Sequence, residues 1–334
     1  MKNPLVSVVC TSFNKEKWIA QAIESFLMQE TNFEFEILII DDASTDTSPK
    51  IIRKFANENS EKIRFFENEK NLGIAKTWKK ICDKARGKYI ARCDGDDYWI
   101  KKDKLQKQVD LLESNKDSKW CNTEFRTENE KGKILFKKSF AEKFVKMPED
   151  FTEILISKGF TNASTWLVDA KLMKEINNTL DTKTPDDTFD IQLELFVKTK
   201  LSTIEEPMVA YRFATGSDSH PEDLLKIQER NQRLLQTQIK FLQKYQEKVN
   251  FLQAIKELLE KQTILENYLV EKEISILERN NLLNDRQKFI EDQGVIIKHY
   301  ENSVKNLENN IKKLKKRKWF GLYKIIHKYS SKEK

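Results

Sequence analysis

Short apolar runs and helix-spaced apolar residues alternate through the first hundred positions of the chain. Residues 5–10 (LVSVVC) form a continuous, β-branched run. In 16–29 (EKWIAQAIESFLMQ), Trp18, Ala22, Ile23, Phe26 and Leu27 then recur at helical spacing. Residues 35–40 (FEILII) read as a second buried strand, and 48–59 (SPKIIRKFANEN) as a second helix with Pro49 in its first turn. A third strand follows at 62–68 (KIRFFEN), a third helix at 73–85 (GIAKTWKKICDKA) stopped at Gly87, and a fourth strand at 88–93 (KYIARC). Strands and helices repeating at this spacing need crossover connections, which predicts a mostly parallel sheet covered on both faces. Such sheets bind ligands beyond the carboxyl ends of their strands. The polar clusters TSFN (11–14), DDAST (41–45) and CDGDD (93–97) fall at those ends.

Beyond Tyr98 the alternation loosens. Residues 103–114 predict a helix, 119–125 a strand, and 127–136 a hairpin around Lys131-Gly132. Short helices at 151–157 and 169–176 flank 162–168 (NASTWLV), and 184–198 (TPDDTFDIQLELFVK) puts Ile191, Leu195 and Phe196 on one helix face. Strand character at 202–213 closes the globular part before a Gly/Ser/Asp/Pro cluster at 214–221. From Glu222 to Gln293 there is neither glycine nor proline. A heptad register runs through Ile255, Leu269, Ile276, Leu283, Ile290, Ile297, Val304 and Ile311, broken at Gln262. If continuous, 255–314 spans roughly 90 Å at about 1.5 Å per residue. Between Leu235 and Leu252 the stripe lies in another register, which predicts a break near 249–255. The expected organisation is a domain over 1–216, a helical coiled-coil region over 222–316 and a tail over 317–334.

Charge sharpens the last boundary. From Lys312 to Lys334 there are nine lysines and one arginine against one glutamate, so the net charge of +7 belongs to the tail and the rest is near neutral. Trp319, Leu322, Tyr323, Ile326 and Tyr329 share one face of that tail, which suits an anionic membrane surface. Nucleic acid is the weaker alternative, because the preceding domain carries no basic patch in sequence. The four cysteines are widely spaced, with neither a zinc pattern nor a disulfide framework. No apolar run is long enough to span a bilayer, and the N-terminus lacks a signal-peptide pattern. A cytoplasmic protein, peripheral on the inner membrane face, is expected.

Asp94, Asp96 and Asp97 fall within four positions around Gly95. Like charges so close call for a cation, and hard oxygen donors at this spacing suit Mg²⁺ or Mn²⁺ bridging a pyrophosphate. The chain has no G-x-x-x-x-G-K-[ST] loop and no G-x-G-x-x-G after its first strand, which argues against a P-loop nucleotidase and a dinucleotide fold.

These segments, in order, resemble the family 2 glycosyltransferases of GT-A fold. VSVVCTSFN is similar to the family's opening strand and nucleotide-contacting turn, and ILIIDDASTD to its second strand with the base-reading aspartate. NLGIAKTWKKICDKARGKYIARCDGDDYW resembles its helix, strand and D-x-D metal motif. DKLQKQVDLLE resembles the helix that follows in bacterial members. The resemblance covers about Pro4 to Arg212. It implies a GT-A domain, α/β with a mostly parallel Rossmann-like sheet, extended here by a long helical coiled coil. It implies a metal-dependent, inverting transfer from a nucleotide-sugar donor, UDP-linked by preference, to a glycan or lipid-linked glycan acceptor, of hexosyl or N-acetylhexosaminyl class, in surface polysaccharide synthesis.

Carried over by position, Thr11 and Phe13 line the nucleotide pocket and Asp42, rather than Asp41, reads the base. Asp96 touches ribose or phosphate, and Asp97 is the principal metal ligand with Asp94 supporting. A basic residue facing the diphosphate falls at Lys76, though Thr77 aligns as well. The general base falls in TPDDTFDIQLELF: Asp187 first, Asp186 second, Asp190 third. Gapless alignment back from PMVAYR puts Thr188 at the acidic position, and Asp186 and Asp187 also suit a helix cap. Trp99, Asn162, Ser164, Thr165 and Trp166 either face the acceptor or fill core. Two competing readings are a sugar-1-phosphate nucleotidylyltransferase, which needs a Gly-rich, Arg-containing loop where this chain has TSFNKEKW, and a coiled-coil scaffold, homo-oligomeric, carrying an inactive transferase-like domain.

Overall fold

The computed structural model describes residues 3–182, 184, 186–213 and 222–330, with side chains to residue 316. In chain order the strands and helices are β1 (Val6–Ser12), α1 (Ile19–Leu27), β2 (Phe35–Asp41), α2 (Ser48–Glu58), β3 (Ile63–Glu67), α3 (Ile74–Cys82), β4 (Tyr89–Arg92), β5 (Tyr98–Trp99), α4 (Lys104–Ser114), β6 (Ser118–Asn129), β7 (Ile134–Phe136), α5 (Phe151–Ser157), β8 (Leu167–Asp169), α6 (Ala170–Thr179), α7 (Asp187–Lys198), β9 (Lys200–Phe213), α8 (Leu224–Lys244) and α9 (Phe251–Ser330). The strands form one sheet in the order β3-β2-β1-β4-β8-β6-β9-β5, with β7 paired to β6.

The first four strands are parallel, as the alternation predicts. β1 pairs β2 from Val6↔Phe35 to Ser12↔Asp41 and pairs β4 on its other side. These strands are buried on both faces, since helices cover both sides of a parallel sheet. One core lies beneath α1, α2 and α4, around Val8, Ile23, Phe26, Ile37 and Leu105. The other lies beneath α3, α6 and α7, around Leu38, Trp78, Trp166, Met173 and Ile191.

The rest of the sheet is mixed. The short β8 sits antiparallel between β4 and β6, and β9 returns parallel to β6, with β5 at its far edge. This return carries Tyr211 and Arg212 back beside the acidic turn that follows β4.

The chain divides into two units, 1–258 and 259–334. The first extends beyond the expected boundary at 216 because α8 is not part of a free stalk. Its Leu234 and Phe241 bury against Phe151, Leu155, Phe189 and Leu193 of α5 and α7. The helix breaks between Lys244 and Phe251, just ahead of the expected 249–255. The second unit is the remainder of α9, whose stripe residues Ile276, Leu283 and Ile290 are 56%, 61% and 66% exposed. The segment 214–221 and the tail's side chains lie outside the described residues.

Candidate active site

One cavity lies where β1, β2 and β4 end, and a second shares Tyr211 with it. The first, about 370 Å³, is lined by Thr11 and Ser12 at the end of β1, Phe13 and Lys15 just after it, Asp42 after β2, Gly73 ahead of α3, Ile74 and Thr77 of α3, the acidic turn Asp94–Asp97, and Tyr211 and Arg212 of β9. The second, about 290 Å³, is lined by Lys158, Phe160, Asp186, Thr188, Phe189 and Arg230 among others, and Tyr211 lines both. Of the residues expected at the nucleotide and metal, Thr11, Phe13, Asp42, Asp94, Asp96 and Asp97 therefore meet in one cavity. Lys76 does not. It lies on the exposed face of α3, and buried Thr77 takes the wall position.

The turn after β2 separates its two aspartates. Asp41 folds back on its own loop, accepting from Ser44 N at 2.8 Å and Ser44 Oγ at 2.6 Å. Asp42 instead accepts from Leu72 N and Gly73 N at 2.9 Å each, and from Asn68 Nδ2 at 2.7 Å. Asn68 is itself held by Lys80 Nζ at 2.6 Å. Asp42 thus ties the end of β2 to the start of α3, and its carboxylate is fixed in the cavity wall. Phe13, 41% exposed, is an apolar ring at an open cavity, the kind of surface on which a base stacks.

The acidic turn is pressed against β1. Gly95 N donates to Thr11 O at 3.2 Å, and a Cβ on Gly95 would come within 3.1 Å of that same oxygen. Cations already stand among its carboxylates. Lys15 Nζ lies 2.5 Å from Asp96 Oδ2, and Arg92 Nε lies 3.2 Å from Asp94 Oδ1. The Arg212 guanidinium donates to the Asp96 carbonyl oxygen and to Gln21 Oε1. Burial works against the Lys15 ammonium, but Asp96 outweighs it and holds the pKa above the ordinary lysine value. Asp94 and Asp96 remain partly open, with side chains 30% and 26% exposed. Asp97 is 3% exposed, and both its oxygens are engaged, by Ser164 Oγ at 2.6 Å and Arg212 N at 2.9 Å. Burial, reinforced by Asp96, pushes its carboxyl well above the ordinary range.

The fit to a divalent ion follows from this donor set. Among the described residues no three His, Cys, Asp or Glu side chains form a ready cage. Mg²⁺-type sites do not require one: one or two carboxylates suffice, with phosphate oxygens and water completing the shell. Asp94 and Asp96 are the carboxylates open for that purpose. Asp97, expected as the principal ligand, would have to share an oxygen with Ser164 or Arg212.

The three general-base candidates part company at the start of α7. Asp187 is 2% exposed and lines neither cavity. It is locked to Arg92 by bonds of 2.7 and 3.3 Å, and Arg92 in turn lies 4.4 Å over the Trp78 ring. Burial pushes the Asp187 carboxyl up against the pull of Arg92. Asp187 therefore acts through Arg92 on Asp94, as a brace for the acidic turn. Asp190 is buried beside Thr184 Oγ1 at 2.5 Å, also lines neither cavity, and is pushed by burial to about 7. Asp186 alone of the three lines the second cavity. It caps α7 by accepting from Phe189 N, receives Thr188 Oγ1 at 2.6 Å, and pairs with Arg230 Nη2 at 2.6 Å. Thr188, the position reached by gapless alignment, stands beside it in the same wall.

Trp99, Asn162, Ser164, Thr165 and Trp166 are buried core and line neither cavity. Ser164 braces Asp97, and Trp99 Nε1 donates to Ser164 O at 3.1 Å. Lys15, Arg92, Arg212 and Arg230 were not singled out from sequence. Arg92 carried one signal, a charge inside an apolar strand two residues ahead of the acids.

Comparison with known proteins places the site in context. The model of glycosyl transferase family 2 matches residues 7–176, half of the chain. Mycobacterium tuberculosis protein Rv1520, uncharacterized, is 39% identical over 116 residues, covering 35% of this chain and 34% of that protein. An uncharacterized glycosyltransferase of Methanocaldococcus jannaschii, MJ1057, is 31% identical over 177 residues, covering 53% and 59%. Bacillus subtilis TuaG, provisionally named a teichuronic acid biosynthesis glycosyltransferase, is 38% identical over 109 residues, covering 33% and 42%. Each match thus spans less than two thirds of the relative. S. aureus TarS 1–349, solved with UDP-GlcNAc, superposes with a TM-score of 0.49 at 19% identity, covering 64% of this chain and 60% of that one.

Proposed function

The chain belongs to glycosyl transferase family 2, and from that premise we propose that it moves a hexosyl or N-acetylhexosaminyl group from a nucleotide-sugar donor, UDP-linked by preference, to a hydroxyl of a glycan or lipid-linked glycan. One observation carries this reading. Six residues picked for nucleotide and metal line one cavity, and Tyr211 joins it to a second cavity bearing the Asp186 carboxylate. The name of TuaG, from teichuronic acid biosynthesis, supports surface polysaccharide as the product class.

The donor lies in the first cavity, its base against Phe13 and Thr11 and reached by Asp42. Its diphosphate lies between Lys15 and Arg212, which take the role expected of Lys76. A divalent ion held by Asp94 and Asp96 would supply Lewis-acid neutralisation of the departing diphosphate. The acceptor enters the second cavity. Asp186, oriented by Arg230 and Thr188, takes the proton of the acceptor hydroxyl. The freed oxygen bonds to the sugar C1 from the face opposite the nucleotide, the bond from C1 to the phosphate oxygen breaks, and the configuration at C1 inverts. Lys15 and Arg212 meet the charge that develops on the leaving group.

The exposed stripe of α9 suits self-association, because a helix this long cannot bury its apolar face alone. Attachment of the 317–334 tail to anionic lipid would bring the cavities to a lipid-linked acceptor. Nucleotide release from a panel of UDP- and GDP-sugars tests the function: release with at least one sugar supports it, and none with any sugar contradicts it. The scaffold reading draws on the locking of Asp187 to Arg92. Donor turnover no higher than the protein-free background in the unaltered chain and in Asp186→Asn and Asp187→Asn alike would favour it.

A further inference from the structure

We infer that the second cavity takes an anionic sugar as acceptor, with its carboxylate or phosphate held between Lys158 and Arg230 and its ring against the aromatic wall. The inference rests on the transferase reading above and narrows its acceptor to a chemical class.

Among the described residues that line it, the cavity has two cations and one carboxylate. Lys158 and Arg230 both line it, and Asp186 is the carboxylate that faces them. Arg230 Nη2 binds Asp186 Oδ2 at 2.6 Å, so that carboxylate is already taken. Lys158 ends α5 in the left-handed region, at φ 55°, and among the described residues it has no carboxylate partner. Burial and the charge of Arg230 hold its pKa below the ordinary lysine value, the direction expected of a cation short of an anion. A carboxylate or phosphate would meet the Lys158 ammonium and the open edge of the Arg230 guanidinium together through charge-assisted bonds. Phe160, Phe189 and Tyr211 supply apolar faces on which the C–H face of a pyranose packs while its hydroxyls stay at the polar rim.

The test uses the full chain saturated with UDP and Mn²⁺ and follows binding by NMR titration. The four probes are methyl β-D-glucuronide, glucose 6-phosphate, methyl β-D-glucoside and glucose. The acidic pair is expected to bind about tenfold tighter than the neutral pair, and the preference should shrink with added salt. The ranking of carboxylate against phosphate identifies the source of the anion. Lys158 is exposed, so Lys158→Gln should fold normally, cut the preference to about threefold or less, and leave UDP affinity unchanged. Arg230→Lys, which keeps the charge but loses the planar fork of donors, should also weaken the preference. Neutral probes binding as tightly as acidic ones, a full preference surviving in Lys158→Gln, or no probe binding while UDP does, each overturns the inference and leaves the transferase reading standing. A chain that takes acidic sugars but no UDP overturns the transferase reading, and the acceptor role with it.

Discussion

Asp186 and Asp187 are sequence neighbours with opposite surroundings, so replacing each by asparagine separates stability from chemistry. In Asp187→Asn the shape survives, but the Arg92 guanidinium, with its side chain 2% exposed, loses its buried counter-charge. Removing one partner of a buried pair costs about 3–5 kcal/mol. Arg92 keeps Asp94 at 3.2 Å and the Trp78 face at 4.4 Å, which places the loss at the lower end, about 3 kcal/mol. For a unit of this size that corresponds to a fall in melting temperature of roughly 6–12 °C. In Asp186→Asn both partners are about one quarter exposed, so solvent screening holds the loss of the ion pair to about 1 kcal/mol or less. The cap survives, because an asparagine oxygen accepts from Phe189 N as an aspartate does. Sugar transfer, however, should fall by about 10²–10⁴ if Asp186 is the general base proposed above. Thermal denaturation and a nucleotide-release assay with acceptor, run on both variants, supply the comparison. An Asp187→Asn protein that melts like wild type but has lost transfer, beside an active Asp186→Asn, would refute the reasoning and return the base to Asp187.

Other consequences are independent of the chemistry. Lys104 is fully buried against Gln108 and the Trp99 ring, and burial lowers its pKa from 10.5 to about 7. A depressed lysine contributes stability above its unfolded value that is lost as pH falls through the folded one. Lys104→Met should therefore melt higher than wild type by a margin that grows from pH 10 down to pH 7, and parallel curves would contradict this. Gly87→Ala should cost about 3 kcal/mol. Its Cβ would meet Ser7 N at 2.6 Å, Val6 C at 2.8 Å and Tyr89 O at 2.9 Å, all backbone of the β1–β4 pair, and a wild-type melting temperature would contradict the packing. A chain ending at Leu258 should sediment as a monomer and the full chain as a dimer or larger. Equal monomeric masses would end the proposal of self-association.

The parallel half of the sheet was legible because β1, β2 and β4 are apolar runs bounded by polar turns, so period and punctuation agree. The ends of those runs also announced Thr11, Asp42 and the acidic turn. β8 was harder to read. Its three residues (LVD) are too short to carry a period, and they become a strand only because β4 and β6 stand on either side. The cations of the site depend on the same long-range return. The Arg212 guanidinium reaches the Asp96 carbonyl oxygen across 116 positions and Arg92 reaches Asp187 across 95, distances at which spacing carries no information. Which of three nearby aspartates faces a cavity turned on the helix start: Asp186 precedes the first turn, whereas Asp187 and Asp190 lie within it and point into the core. The boundary at 216 missed α8 because a stripe that docks on α5 and α7 has the same spacing as one that seeks another copy.

The central claim is that the first cavity grips a nucleotide diphosphate through its acidic turn and a divalent ion. Isothermal titration of UDP into the full chain, with Mn²⁺ and again with a chelator, tests it most directly, alongside the double variant Asp94→Asn, Asp96→Asn. The account predicts saturable binding that disappears with the chelator and in the variant. Binding that is indifferent to both, or no binding under any condition, would contradict it.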